Sequence, residues 1–427
     1  MTGQKVVVDL HDPDSLVVAD TAGLLPAAAL AGAQVRSGAE QLAGRPEFDR
    51  PRAFVVIGAT SSVDAALLTA LIGDAAVAPV VAAPTLPGWV GPLDIVVVLA
   101  SSVDDLAAAE AAARAARRGA RVVVRAASEG PVAAAAGAGL LDPQVSVTET
   151  LAAAGRLTVL VSVAAAAGLY PRPDFAVAAD QLDAMAMACH PSSEFFVNPG
   201  LTLAEHLAAG TPLLIGTDPV ADALAAHACR SLAGIAGCAG TWLGSGQAAG
   251  SPPVLARAGG AGGGGVFYDP YDDDAPPGQQ VSTVLVVGPG TQSPVGPFVG
   301  SGLLPPDAVP AFGVGPAGGG RSPLAAALQA ALPKAMCIGP EELPASAATH
   351  REGDPGTGER LTRDAFTWTV AMLSRMDFAA VYLALLTGAR PPVDTPDGLG
   401  RPGRSTHHRP PTGAPAGWGE REPGSWS

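Results

Sequence analysis

AFVVIGATSSVDAALLTALIG, Ala53 to Gly73, and DIVVVLASSVDDLAAAEAAARAARRGARVVV, Asp94 to Val124, decide the fold class of this chain. Each opens on β-branched residues, crosses a short loop carrying adjacent serines, and enters an alanine-rich helix. Strands are expected at Phe54–Ile57, Val77–Ala82, Ile95–Leu99 and Val122–Arg125, with helices between most of them. A β-α-β-α period predicts a parallel sheet, and apolar runs such as VVV and VVVL suit strands buried on both faces. The class is therefore α/β.

Outward from these units, Asp12 to Gly44 has helical apolar spacing, interrupted near Gly23 and Pro26. Leu151–Tyr170 reads as a long apolar helix, and the pattern resets around Pro171–Pro173. Phe196 to Gly237 then repeats the strand–loop–helix logic, with PLLIGTD as strand and loop. A glycine-rich stretch between Gly240 and Gly265 precedes VFYDPYDDD and another buried strand, Val281 to Gly290. The last strong element is a helix from Glu359 to Gly388, for which Gly388 is a good stop. The expected organisation is a helical segment at 1–50, a first α/β subdomain at 51–170, a second at 190–390 with its C-terminal helix, and a disordered tail at 391–427.

Net charge is −14, from 25 basic and 39 acidic residues. That field repels a phosphate polymer, so nucleic acid is excluded as a partner, while one small phosphorylated ligand is compatible with it. The apolar Leu157–Tyr170 stretch falls short of the ~20 residues that span a bilayer, and the N-terminus MTGQKVVVDL is too polar for a signal peptide. Four cysteines form no Cys-x-x-Cys pair. A reduced, cytoplasmic protein without membrane partner, cofactor or metal is expected.

Loops at the carboxyl ends of parallel strands, feeding helix N-termini, are where α/β proteins bind anions. Gly58, Ser61 and Ser62 in the first loop, and Ser101 and Ser102 in the second, are the candidate phosphate and hydroxyl contacts. Capping accounts equally well for part of this pattern, with Ser61 or Ser62 as N-cap and Asp64, Asp104 and Asp105 in first turns. The first loop lacks Gly-x-Gly-x-x-Gly spacing, which excludes a dinucleotide fingerprint. Cys189–His190 has no second ligand pair at metal spacing. Asp269, Asp272, Asp273 and Asp274 do not match a calcium loop and read as a solvated acidic turn.

Together these segments resemble the sugar isomerase (SIS) fold, and within it the bifunctional phosphoglucose/phosphomannose isomerases, over most of residues 10–390. The first loop is similar to that family's Gly-x-Gly-Gly-Ser in Gly58 and Ser62, and Asn198-Pro199 matches the Asn-Pro opening the second SIS subdomain. Met376 to Gly388 is similar to the family's C-terminal helix. The resemblance implies two three-layer αβα subdomains, a homodimer, and aldose–ketose isomerisation between fructose 6-phosphate and glucose or mannose 6-phosphate. The family's catalytic Glu falls in HACRSLAGIAG, which has none, and its ring-opening His falls near VFYDPYDDD, which has none either. His227 and Asp269 are the titratable groups nearest those two losses. The alternative is a phosphosugar-binding regulatory protein without turnover.

Overall fold

The computed structural model describes residues 8–43, 48–259, 280–289, 323–340, 343–344 and 365–389. Asp269, the rest of the acidic turn and the 391–427 tail lie outside them.

Five strands build the first sheet: β1 (Phe54–Ile57), β2 (Val80–Ala83), β3 (Ile95–Leu99), β4 (Arg121–Arg125) and β5 (Leu140–Leu141). Every neighbouring pair is parallel, in the order β2-β1-β3-β4-β5. The second sheet, of β6 (Thr211–Gly216), β7 (Thr241–Leu243), β8 (Val281–Val286) and β9 (Met336–Ile338), is also parallel, in the order β7-β6-β8-β9. Each sheet starts with its second strand outside its first and then reverses direction, so each has one switch point: β1/β3 in the first and β6/β8 in the second. The α/β class with two helix-flanked parallel sheets holds.

Side chains alternate across the first sheet as the pleat demands. Phe54, Val56, Val97 and Val123 face a large central core, and Val55, Ile57, Val96 and Val98 face outward. Fourteen helices complete the chain among the described residues, α1 (Pro13–Ala19), α2 (Leu24–Ala29), α3 (Ala31–Leu42), α4 (Ser61–Ile72), α5 (Leu106–Arg117), α6 (Gly130–Ala136), α7 (Ala153–Ala166), α8 (Phe175–Ala188), α9 (Pro199–Ala208), α10 (Pro219–Ala236), α11 (Ser245–Ala249), α12 (Pro252–Ala258), α13 (Pro323–Ala331) and α14 (Ala365–Thr387). α5 and α6 cover the outer face of the first sheet with Ala108, Ala111, Ala115 and Val132. α11, α12 and α13 cover the outer face of the second with Ala248, Ala258, Leu328 and Leu332. Leu214, Val284, Val286 and Ile338 turn the other face of that sheet into the same central core as the first. Both sheets therefore back onto one helical layer.

α14 is the spine of that layer. Residues Phe366 through Leu385 are buried all round, which suits a helix apolar on every face. It is the one described helix long and apolar enough to cross a membrane, and 94% of that stretch is buried within the protein. α8, α9, α10, α7, α2 and α1 pack against it. Its end is the expected one: Gly388 takes φ +68° just past Thr387.

Several boundaries move. β2 begins at Val80 rather than Val77, since Val77 is exposed and Pro79 has no N–H for the ladder. The N-terminal segment is three helices, broken where Asp20 accepts the N–H groups of Leu24 and Leu25 at 2.8 Å each. The apolar stretch at 151–170 is helical from Ala153 to Ala166, and the last helix starts at Ala365 among the described residues.

Candidate functional site

The register sets Ile57 beside Val98, so the β1–α4 and β3–α5 loops leave the carboxyl edge side by side. Gly58 makes that approach possible. Its φ is +149°, and a Cβ there would sit 2.4 Å from the Leu99 carbonyl oxygen. α4 starts immediately afterwards, with Thr60 rather than a serine in the N-cap position. Ser61 is buried and its hydroxyl donates to the Ala83 carbonyl at 3.4 Å, so it ties α4 to β2. Ser62 is exposed, and its hydroxyl has no protein partner among the described residues.

In the second loop Asp105, not a serine, caps α5, accepting the Ala108 N–H at 3.0 Å. The N–H and hydroxyl of Ser101 both donate to the other Asp105 oxygen, at 3.2 and 2.9 Å. The aspartate thus sits at the helix boundary and organises the loop, instead of lying inside the first turn. Ser101 and Ser102 are both exposed. Ser62, Ser101 and Ser102 are therefore exposed on the two neighbouring loops at the β1/β3 switch point, with Gly58 between β1 and α4, and Ser61 is tied to β2 instead.

Below α4 the charge is already balanced. Asp64, in the first turn, accepts from Thr60 Oγ1 and from Arg156 Nε at 3.0 Å. Arg156 also donates to the backbone carbonyl and Oε1 of Glu149, at 2.7 and 2.9 Å. Burial opposes the Arg156 charge, but Asp64 and Glu149 outweigh it and raise its pKa above the ordinary value. The first-turn carboxylate is thereby neutralised from within; the N–H groups of Ser61, Val63 and Asp64 already donate to the Gly58 and Thr60 carbonyls, so Ser62 is the residue of this turn that faces an outside anion.

His227 lies elsewhere. It sits on α10, 2% exposed, with Nε2 at 2.9 Å from Asp377 Oδ1 of α14. Ser231 donates to the same oxygen at 2.7 Å. This cluster locks α10 to α14 inside the core. His206 is half-buried with Nε2 2.8 Å from the Thr283 carbonyl, and His190 is exposed beside Ser192. Burial pushes the Cys189 and Cys229 thiols up to about 12, which removes them as thiolate nucleophiles. No group of three metal-ligating side chains exists among the described residues.

The second switch point holds a pair that sequence reasoning missed. Asp218 caps α10 by accepting the Ala221 N–H at 2.8 Å, and Asp222 follows in the first turn. Burial, the charge of Asp218 and a weaker opposing hydrogen bond from the Ser245 N–H set the Asp222 carboxyl at about 6, from an ordinary 3.8. Asp222 Oδ1 is buried with no hydrogen-bond partner among the described residues. The available signal was the recurrence of Asp six positions after the strand-ending glycine, Gly58 to Asp64 and Gly216 to Asp222.

No protein-family model matches this chain, and no curated protein does. Solved structures do match. A hypothetical protein of Thermus thermophilus aligns with TM-score 0.55 at 12% identity, over 88% of each chain. A Clostridium difficile protein named "putative phosphosugar isomerase" aligns with TM-score 0.50 at 8% identity, over 88% of this chain and 95% of its own. The fold is that of the sugar isomerase (SIS) proteins.

Proposed function

We propose that this chain binds a sugar phosphate at the first switch point and does so without isomerising it. The phosphate would take the N–H and hydroxyl of Ser62 at the N-terminus of α4, and Ser101 or Ser102 would contact the sugar. The observation that carries this reading is the exposed serine pair of loops on an α4 N-terminus whose own aspartate is neutralised by Arg156. The name of the Clostridium difficile relative agrees with it. Isomerisation needs a base at C1/C2 and a group that opens the ring. His227 is sealed against Asp377 in the core and reaches neither. Isothermal titration of fructose 6-phosphate and glucose 6-phosphate, alongside a coupled isomerase assay, tests the reading. Heat of binding without turnover is expected; steady turnover, or no binding of either ester, would overturn it.

A second reading, isomerisation of glucose or mannose 6-phosphate with fructose 6-phosphate, rests on Asp222, whose carboxyl near 6 has the pKa of a general base. In that case Asp222→Asn abolishes turnover while Ser62→Ala weakens binding. Whichever reading holds, we place the subdomain boundaries at 51–170 and 190–390. We also read the protein as a cytoplasmic homodimer. The four unpaired cysteines support a reducing compartment, and exposed Met187 near the end of α8 with exposed Phe196 and Val197 before α9 support an interface. Analytical ultracentrifugation of Phe196→Ser against the unaltered chain reads the last point.

A further inference from the structure

Arg125 ends β4 on the central-core face, the face of Val123. It is 7% exposed, and a guanidinium at that depth needs its five donors satisfied. Its one ion-pair partner among the described residues is Glu149 Oε2, at 3.8 Å, beyond hydrogen-bond length. Burial lowers the Arg125 pKa, with the Glu149 charge opposing that and the Arg156 charge adding to it. Glu149 is meanwhile held by Arg156 and is not free to swing across.

Beside the guanidinium lies a half-open cleft with an enclosed volume of about 20 Å³, lined by Gln34, Ser37, Gln41, Gln144, Gly155 and Arg125 among others. Gln34 is 4% exposed, and its amide donates to the Leu151 carbonyl at 3.1 Å. Its Oε1 is buried without a partner among the described residues. Gly155 keeps the space open. A Cβ there would stand 2.9 Å from Gln34 Oε1 and 3.6 Å from Arg125 Nη2. An unfilled donor set and an unfilled acceptor thus face each other across the missing side chain of one glycine.

We propose that this cleft is a second ligand site, distinct from the serine loops, for a small oxyanion bearing an adjacent hydroxyl. The oxyanion would take the Arg125 N–H groups and the hydroxyl would donate to Gln34 Oε1. Two sources share this chemistry: an α-hydroxy carboxylate and a singly protonated phosphate. The four charges of Arg125, Arg156, Asp64 and Glu149 cancel, so the anion competes with Glu149 for Arg125. Occupancy is coupled to the serine loops through two contacts: the Arg125 carbonyl accepts the Ala100 N–H at 3.0 Å, next to Ser101, and Arg156 holds Asp64 of α4.

Thermal unfolding of the full chain with glycolate, inorganic phosphate or propionate, at matched ionic strength, tests this. Glycolate or phosphate is expected to raise Tm by about 2 °C or more, and propionate, which lacks the hydroxyl, by less. Gly155→Ala fills the cleft and abolishes the rise. Arg125→Lys keeps the charge but loses the fork, and weakens the rise should Gly155→Ala fail to fold. Glu149→Gln removes the competing charge and enlarges it. A phosphate rise that survives Gly155→Ala but not Ser62→Ala belongs to the serine loops, and the cleft then takes the hydroxy carboxylate alone. The proposal fails if neither anion gives a rise that depends on Gly155 or Arg125. It also fails if Glu149→Gln leaves the rise unchanged, because the anion then does not compete with Glu149 for Arg125.

Discussion

The two switch points share one local frame and meet opposite electrostatic ends. In each, a strand finishes on Ile-Gly, the N-cap stands two residues past the glycine, and an aspartate stands six past it: Gly58, Thr60 and Asp64 in one, Gly216, Asp218 and Asp222 in the other. Asp64 is met by Arg156, delivered from α7. Asp222 is desolvated by burial, with the like charge of Asp218 adding to it, and retains its proton up to about pH 6. The lesson is that the backbone address of an anion site is not sufficient. A helix N-terminus is better placed to attract phosphate where its own first-turn carboxylate is met by a buried cation, as Arg156 meets Asp64 at the first sheet.

Removing that cation is the hardest blow to the comparison. Arg156→Met leaves Asp64 buried without its cation and Glu149 with only the longer contact to Arg125, and a loss of about 3–5 kcal/mol is expected in urea unfolding. A loss below about 1 kcal/mol would mean that Asp64 is not held by Arg156 in solution. Next in size is Gly58→Ala, which forces a Cβ toward the Leu99 carbonyl at a positive φ. About 2–3 kcal/mol of destabilisation is expected, read as a fall in Tm. Gly216 has no such φ, but a Cβ there would stand 2.3 Å from the Asp222 nitrogen and Oδ1, so the two glycines are both required, one for its φ and its approach to β3 and the other for its approach to α10.

Asp222→Asn moves stability the other way. The folded state binds the Asp222 proton more tightly than the unfolded chain, since the carboxyl lies near 6 rather than 3.8. Stability tied to that proton is full below pH 3.8 and is lost as pH rises through about 6. The asparagine therefore gains over aspartate at pH 7.5, by about 1 kcal/mol after allowing for partial exposure, and gains little at pH 4. Equal gains at both pH values would remove the like-charge account of the second switch point. Smallest for the fold is Ser62→Ala, expected within about 0.5 kcal/mol of the unaltered chain because the hydroxyl is exposed. The same change is expected to weaken sugar-phosphate binding by about 1 kcal/mol, several-fold in Kd, read by calorimetry.

Legibility in the sequence followed the range of the forces involved. β1 and β3 announce themselves as unbroken apolar runs because both faces are buried, and their bounds needed no change. β5 and β9, two and three residues long, exist through their parallel neighbours and carry no local signature. α8 escapes a periodicity reading because its buried residues, from Phe175 to Met185, surround much of its circumference. The serine loops were visible as loops, but their capping was assigned to the wrong residues. Thr60 and Asp105 hold the helix boundaries and free Ser62 for solvent. The Asp64–Arg156 pair joins residues 92 positions apart, so no spacing rule reaches it. Asp222 has no ion pair among the described residues, and a contact that is not made leaves no mark in a sequence.

α14 has a consequence for the order in which this molecule can be made. Its side chains fill the layer that both sheets share, yet it is among the last described elements to leave the ribosome. Until residue 385 has emerged, α8, α9 and α10 face an empty trough lined with leucine, alanine and valine. A nascent chain can pair its strands early but cannot close its interior, and must remain a client of whatever shields apolar surface in the cell. A product terminated before this helix would carry that trough permanently, and so would be marked for removal by its own unfinished core.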